Sequence, residues 1–280
     1  MQFRVGICQM KVTNSKEANL SKAADQVRLA VSKGADLVVL PEMFTCPYQK
    51  ELFASYAEVE SNSLVFRFLS DLARESHCYL VGGSVPEQEG EMLYNTSYIF
   101  NRAGKLVGKH RKLHLFDIEI PGGISFKESA VLSSGESITT FETEFGRCGV
   151  AICYDLRFPE LFRLMNEEDV KLVVVPAAFN LTTGPAHWET LFRARAIDNQ
   201  LYMVGASPAR DPKAAYVAYG HSLAVNPWGD LIYQADIVEE VGVVMLDSVK
   251  LEEIRLALPL LKHRRLDLYQ VKSQMKEFIL

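Results

Sequence analysis

DLVVLPEMF, residues 36–44, and KLVVVPAAF, residues 171–179, share one layout. A helical pattern precedes each, an unbroken run of branched aliphatic residues ends in proline, and a small loop follows. A short continuous apolar run is the signature of a strand buried on both faces. The chain therefore reads as two similar halves, each a sheet with helices on one side. Two such sheets packed face to face give a four-layer αββα sandwich of the α/β class, with mixed sheets. No Ser/Gly/Pro-rich linker separates the halves, so the repeat belongs to one domain.

Working outward, Phe3 to Met10 predicts a strand, and Leu20, Ala23, Ala24, Val27, Ala30 and Val31 follow helical spacing up to Gly34. Leu64, Phe68, Leu69 and Leu72 mark a second helix before the strand CYLVGGS. YNTSYIF and KLVGKHR pair as a hairpin around 101–104, and 113–135 reads as a long loop of the kind that often carries function. In the second half CGVAI is a strand and Pro159 opens a helix. KLVVVPA is a strand, HWETLFRARAIDN a helix and LYMVGAS a strand, with a further hairpin across PWGD, the strand EEVGVVMLD and a helix over 248–258. Residues 1–248 form the expected catalytic domain, and 249–280 a C-terminal helix and arm of the same domain.

The 280 residues are 48% hydrophobic and 23% charged, with a net charge of −5. This composition suits a globular protein with a large core. No basic block interleaved with aromatics suggests nucleic acid, and no apolar run approaches the ~18 residues of a membrane span. The start, MQFRVGICQM, enters a strand pattern directly and lacks the layout of a signal or transit peptide. A cytoplasmic location is expected. The five cysteines are irregularly spaced, without a Cys-x-x-Cys or zinc-finger pattern. Taken singly, each serves best as a small core residue.

Cys153 stands apart because of its context, GVAICYDLRFPEL (149–161), where it ends a strand just before a helix. A thiol needs a base or a depressed pKa to react. None of the six histidines stands out by spacing. Glu42 closes the first echo strand, where a charge is expensive without a partner or a task. A glutamate held in an apolar pocket exchanges protons nearer neutrality. Parallel neighbours would bring the ends of the Glu42 and Cys153 strands to one sheet edge. The basic stretch KHRKLHLF (109–116) offers Lys112, which follows a strand and can reach over that edge. Singly, each of the three suits a structural role: a core thiol, a solvated loop acid and a solvated basic turn.

LPEMF, KHRKLHLF and GVAICYDLRFPEL together resemble the three signature segments of the nitrilase superfamily of carbon-nitrogen hydrolases, and the resemblance spans nearly the whole chain. It implies the αββα sandwich, a Glu-Lys-Cys triad at Glu42, Lys112 and Cys153, and a further site glutamate at Glu128. KHRKLHLFDIEIPGGISFKES, AFNLTTGPAHWE and ASPARD are similar to the omega-amidase branch. That branch hydrolyses the side-chain amide of α-keto analogues of glutamine and asparagine. On this reading Glu42 takes the thiol proton, and Cys153 forms a thioester. Lys112 and the Tyr154 N–H hold the oxyanion, and no metal or organic cofactor is needed.

Tyr48, Asn180 and Thr183 are candidates to bind the keto-acid carboxylate, although Asn and Thr after a strand also suit a turn. Arg157, Arg193 and Arg195 are further cations; Arg157 is expected in a salt bridge, and the other two, two apart on a helix, point in different directions. Trp188, Leu191 and Phe192 are expected in the core. The resemblance implies a homodimer, with the helix after Pro159 and the C-terminal arm near its interface. Rival functions are a deaminated-glutathione amidase, a carbamoyl-amine hydrolase, a true nitrilase, a catalytically silent binding protein and a redox-sensing thiol.

Overall fold

The structure is a computed structural model that describes residues 1–121 and 125–273. Its helices are α1 (Lys16–Ser32), α2 (Lys50–Tyr56), α3 (Leu64–Ser76), α4 (Pro159–Glu167), α5 (Gly184–Asn199) and α6 (Ser248–Ala257). The tip of the long loop and the end of the expected C-terminal arm (274–280) lie outside the described residues.

The first sheet has the parallel strands Gln2–Gln9, Leu37–Val39 and Tyr79–Val81 at its centre, in register Val5 to Leu37 to Tyr79. Met92–Phe100, Val85–Glu89 and Glu58–Val59 extend it on one side, and Leu106–Arg111 pairs antiparallel with Met92–Phe100. The second sheet runs in the order Thr139–Thr143, Gly146–Val150, Leu172–Pro176, Tyr202–Ala206, Leu223–Val225, Leu231–Gln234. Its centre is parallel too, in register Cys148 to Leu172 to Tyr202.

The echo strands explain why the sheets stack. In the first, Leu37 and Val39 point into the layer between the sheets, while Val38 and Leu40 pack on α1 and α3 beside Leu20, Val27 and Leu69. In the second, Leu172 and Val174 fill the same middle layer, and Val173 and Val175 pack on α4 and α5 with Phe162, Trp188 and Phe192. Because alternate side chains leave a strand on opposite faces, a run apolar at every position must be covered twice. Each such side chain contributes about 1.5–3 kcal/mol by leaving water. The expected four layers are present, and Trp188 and Phe192 are in the core as the sequence suggested.

Several features go beyond the sequence reading. The strand Glu240–Asp247 leaves the second half and pairs antiparallel with Gln2–Gln9 in the first sheet, tying the halves together. Helix α2 and the strand Val85–Glu89 occupy stretches left without an element, and the long loop contains a ribbon, Asp117–Glu119 with Ser125–Lys127. The strand carrying Glu42 and the strand carrying Cys153 are also not neighbours. They belong to different sheets, so their ends meet across the middle layer rather than along one edge.

Candidate active site

Glu42 sits in a tight turn after its strand. The Pro41 carbonyl accepts the Ser84 N–H at 3.2 Å, Ser84 Oγ accepts the Met43 N–H at 3.1 Å, and Met43 adopts a left-handed φ of 50°. Gly83, at φ +55°, makes this possible: a Cβ there would lie 2.1 Å from the Pro41 oxygen. The turn delivers the Glu42 carboxylate to a site where it is only 1% exposed.

Lys112 follows the strand Leu106–Arg111, with its backbone fixed by Lys112 N–H to Asn95 O and Gly135 N–H to Lys112 O, both 2.9 Å. Its fully buried ammonium lies between two carboxylates, 3.1 Å from Glu42 Oε1 and 2.9 Å from Glu128 Oε2. Glu128 opens a short 3-10 turn, and its Oε2 accepts the Phe116 N–H at 2.6 Å. The Tyr48 hydroxyl donates to Glu128 Oε1 at 2.7 Å and lies 3.3 Å from Glu42 Oε1. Asn95 Nδ2 donates to Glu42 Oε1 at 2.9 Å.

Glu42 Oε1 thus gathers the donors. Its other oxygen, Oε2, is buried without an N–H or O–H donor, and the Cys153 thiol lies within hydrogen-bonding reach of this carboxylate. Burial raises the Glu42 pKa, Lys112 opposes the rise and Glu128 adds to it. Burial opposes the Lys112 charge too, but Glu128 and Glu42 outweigh it and hold the ammonium protonated well above the usual lysine range. Two carboxylates around one ammonium leave a formal deficit of one positive charge, which suits a proton shared between Glu42 and the thiol.

Cys153 begins a 3-10 turn, Cys153–Arg157, with a left-handed φ of 48°, a conformation that costs a non-glycine residue about 1–3 kcal/mol. Burial pushes its thiol well up, Glu42 reinforces this, and Lys112 and a hydrogen bond from the Ala178 backbone act against it. The resting sulfur is therefore a thiol that needs a base, and the nearest base is Glu42. Ala178 follows the second echo strand, so one echo supplies the carboxylate and the other a backbone donor to the sulfur.

The turn is clamped by Asp155, fully buried. Its Oδ2 accepts the Ile152 N–H at 3.0 Å and pairs with His110 Nε2 at 3.1 Å. Its Oδ1 accepts the His114 N–H at 2.9 Å and pairs with His114 Nδ1 at 2.8 Å. One carboxylate thus joins the Cys153 turn to the segment on either side of Lys112. Arg195 secures the far end of the turn, donating to the Leu156 and Arg157 carbonyls at 3.1 Å each. Tyr154 follows Cys153 near the start of the turn, where backbone N–H groups lack an intrahelical acceptor.

A cavity of roughly 470 Å³ opens beside Glu42, with Tyr48, Ala178, Tyr216 and Lys213 in its wall. The Tyr216 hydroxyl donates to the Ala178 carbonyl at 2.5 Å, and its ring packs against Tyr48 with centroids 4.7 Å apart.

The structure brings Glu42, Lys112, Cys153, Glu128 and Tyr48 together. It does not bring Asn180 and Thr183 to the cavity wall: the Asn180 side chain accepts the Thr182 and Thr183 N–H groups at 3.0 and 2.9 Å and fastens the start of α5, the turn role such residues favour. The expected Arg157 salt bridge is also absent among the described residues. Its guanidinium instead lies over Phe179 and Tyr154 and 3.1 Å from His187 Nδ1, so aromatic faces and an imidazole take the place of an acid. Arg193 pairs with Glu189 on its own helix. Asn95, Asp155, His110, Ala178 and Tyr216 were missed. A signal existed for Asn95: the polar run Asn95-Thr96-Ser97 inside an otherwise apolar strand.

The carbon-nitrogen hydrolase family model matches residues 4–256. The chain is 49% identical to the omega-amidase NIT2 of Mus musculus over 272 residues, 97% of this chain and 98% of that protein. It is 47% identical to the omega-amidase NIT2 of Homo sapiens with the same coverage. Saccharomyces cerevisiae Nit3, described as a member of branch 10 of the nitrilase superfamily, superposes with a TM-score of 0.87 at 42% identity, over 94% of this chain and 97% of that one. The NitFhit protein of C. elegans superposes at 0.88 with 33% identity, over 99% of this chain and 69% of that one. With its signature segments folded into one buried glutamate-lysine-cysteine cluster and its relatives matched end to end, the chain belongs to the carbon-nitrogen hydrolase family.

Proposed function

We propose that the protein is an omega-amidase, converting the ω-amide of an α-keto acid such as α-ketoglutaramate or α-ketosuccinamate to the dicarboxylic keto acid and ammonia. The observation that supports the chemistry is the buried Glu42 carboxylate beside Cys153, with Lys112 and Asn95 on its Oε1 and no N–H or O–H donor on its Oε2. The substrate class is supported by the identity to curated omega-amidases along 97% of the chain.

In the first half-reaction Glu42 takes the S–H proton as Cys153 Sγ attacks the amide carbon. The carbonyl π electrons move onto oxygen, and the Lys112 ammonium and the Tyr154 N–H stabilise that oxyanion. One such donor is worth about a hundred- to a thousandfold in rate. Glu42 returns the proton to the amide nitrogen, the C–N bond breaks, and ammonia leaves a thioester on Cys153. In the second half Glu42 takes a proton from water, the hydroxide attacks the thioester, and the C–S bond breaks. The sulfur recovers its proton from Glu42. Glu128 keeps the Lys112 ammonium aimed, and Tyr48 bridges the two carboxylates.

The test is ammonia release from α-ketoglutaramate, with glutamine and a simple nitrile as controls, for wild type and Cys153→Ala. Release from the keto amide alone, abolished in Cys153→Ala, is the expected result. A folded wild type inert toward all three overturns the substrate assignment and favours deaminated glutathione or carbamoyl amines.

We propose further that the protein works in the cytoplasm as a homodimer. All five cysteines are unpaired, which suits a reducing compartment, and among the described residues no helix is long and apolar enough to cross a membrane. Leu256, Leu258, Leu266, Leu268 and Tyr269 leave apolar surface exposed on α6 and the segment after it, which supports a partner there. A monomeric mass by light scattering overturns the dimer.

A further inference from the structure

The cavity beside Glu42 contains one feature that the hydrolytic chemistry does not use. Of the ionisable side chains in its wall, Glu42 stands at the inner end, while Asp211 and Lys213 stand on the loop after the strand Tyr202–Ala206. Lys213 is the single cation among the described residues lining the cavity, it is exposed, and no carboxylate among them pairs with its ammonium. The loop is fastened on both sides of Lys213. Ser207 N–H bonds to Ser222 Oγ at 2.9 Å and Ala209 N–H to Met10 O at 2.9 Å, Arg210 Nη2 donates to Tyr219 O at 2.7 Å, and Tyr216 is held on Ala178. Asp211 turns the tip by accepting the Lys213 N–H at 3.0 Å. The lysine is thus an unpaired cation on an anchored loop over a cavity whose floor holds the reacting cysteine's base.

We propose that Lys213 reads the α-keto carboxylate of the substrate and sets the preference for keto-acid amides over amino-acid amides. This deepens the omega-amidase reading and rests on it. An ω-amide of a five-carbon keto acid spans four C–C bonds, roughly 5 Å from reacting carbon to carboxylate, which suits a cavity of this size. With the amide at Cys153, the far end presents a carboxylate and a ketone oxygen, both acceptors for an ammonium. Glutamine keeps the carboxylate but replaces the ketone oxygen beside it with an α-ammonium, which meets Lys213 as a like charge, and like-charge juxtaposition is an effective device of discrimination. Nothing at the inner end distinguishes the two compounds, because their amides are identical.

The experiment measures ammonia release against α-ketoglutaramate concentration for wild type, Lys213→Arg, Lys213→Met and Lys213→Glu, with calorimetric binding of α-ketoglutarate alongside. Lys213 is exposed, so these variants keep the core intact. KM is expected to rise about tenfold in Lys213→Met and further in Lys213→Glu, to stay near wild type in Lys213→Arg, and kcat to change less than about threefold. α-Ketoglutarate affinity should fall in parallel, and the preference for the keto amide over glutamine should narrow. An unchanged KM in Lys213→Met and Lys213→Glu, or a loss carried in kcat alone, overturns the assignment of Lys213 while leaving the omega-amidase reading in place. A wild type that neither releases ammonia from the keto amide nor binds α-ketoglutarate defeats that reading, and the role of Lys213 with it.

Discussion

Replacing Asp155 by alanine should cost the protein both stability and activity, and the structure sets the scale. Its carboxylate is fully buried and meets four donors at 2.8–3.1 Å, two of them the backbone N–H groups of Ile152 and His114. Those two cannot turn toward water when the acceptor is removed. A buried donor left without a partner costs about 1–3 kcal/mol, and removing this carboxylate strands several at once. Relief of Asp155's own desolvation offsets part of this, so a net loss of about 3–5 kcal/mol is expected. At about 2 °C per kcal/mol for a chain of this size, thermal unfolding should move down by roughly 6–10 °C. The sign with pH is fixed: hydrogen bonds from His110 and His114 overcome burial and hold Asp155 below its ordinary value of 3.8. Its contribution is therefore fully present above the unfolded-state value and lost as the pH falls through the folded-state one. The gap between wild type and Asp155→Ala, read by calorimetry, should stay constant from about pH 6 to 8 and narrow below about pH 4. A shift under about 2 °C at pH 7, or a gap that widens on acidification, refutes the view of Asp155 as the clamp on the Cys153 turn.

Other outcomes follow from the same geometry. Glu42→Gln should reduce ammonia release by about a hundred- to ten-thousandfold, since the carboxylate beside the thiol is then no longer a base. Because burial raises the Glu42 pKa, its ionisation costs stability as pH rises from the unfolded value of 4.5 through the folded one; Glu42→Gln should therefore melt higher than wild type at pH 8 and converge with it near pH 4, and a lower melting point at pH 8 would contradict this. The acid limb of the activity profile should lie above the ordinary glutamate range. Alkylation of Cys153 by iodoacetamide should follow that limb in wild type and be slow and flat in Glu42→Gln; alkylation rising only in strong alkali would assign the proton elsewhere. Gly83→Ala must drive a methyl group onto the Pro41 oxygen. It should lose about 2–4 kcal/mol in urea unfolding and displace Glu42, and full activity in that variant would show that the turn tolerates the shift.

The sequence by itself determined the layers, most of the strands and, through the resemblance of three segments taken together, the three chemical groups. Leu37-Val38-Val39-Leu40 and Leu172-Val173-Val174-Val175 are apolar at every position, and only a strand covered on both faces accommodates that. Glu42, Lys112 and Cys153 each end or follow a strand and singly suit structural roles; the resemblance of their three segments, taken together, is what marks them. Local periodicity carries no information on which strands pair, and so the sequence placed the Glu42 and Cys153 strands at one edge when they lie in different sheets. Only the tertiary structure decided that their ends meet across the middle layer, that Glu240–Asp247 returns to Gln2–Gln9, and that Asp155 ties the cysteine turn to the Lys112 segment. Asn180 and Asn95 make the same point: each is an asparagine near a strand, yet one closes a turn and the other donates to Glu42. An amide side chain serves either purpose equally well, and the choice rests on what the fold places within 3 Å of it.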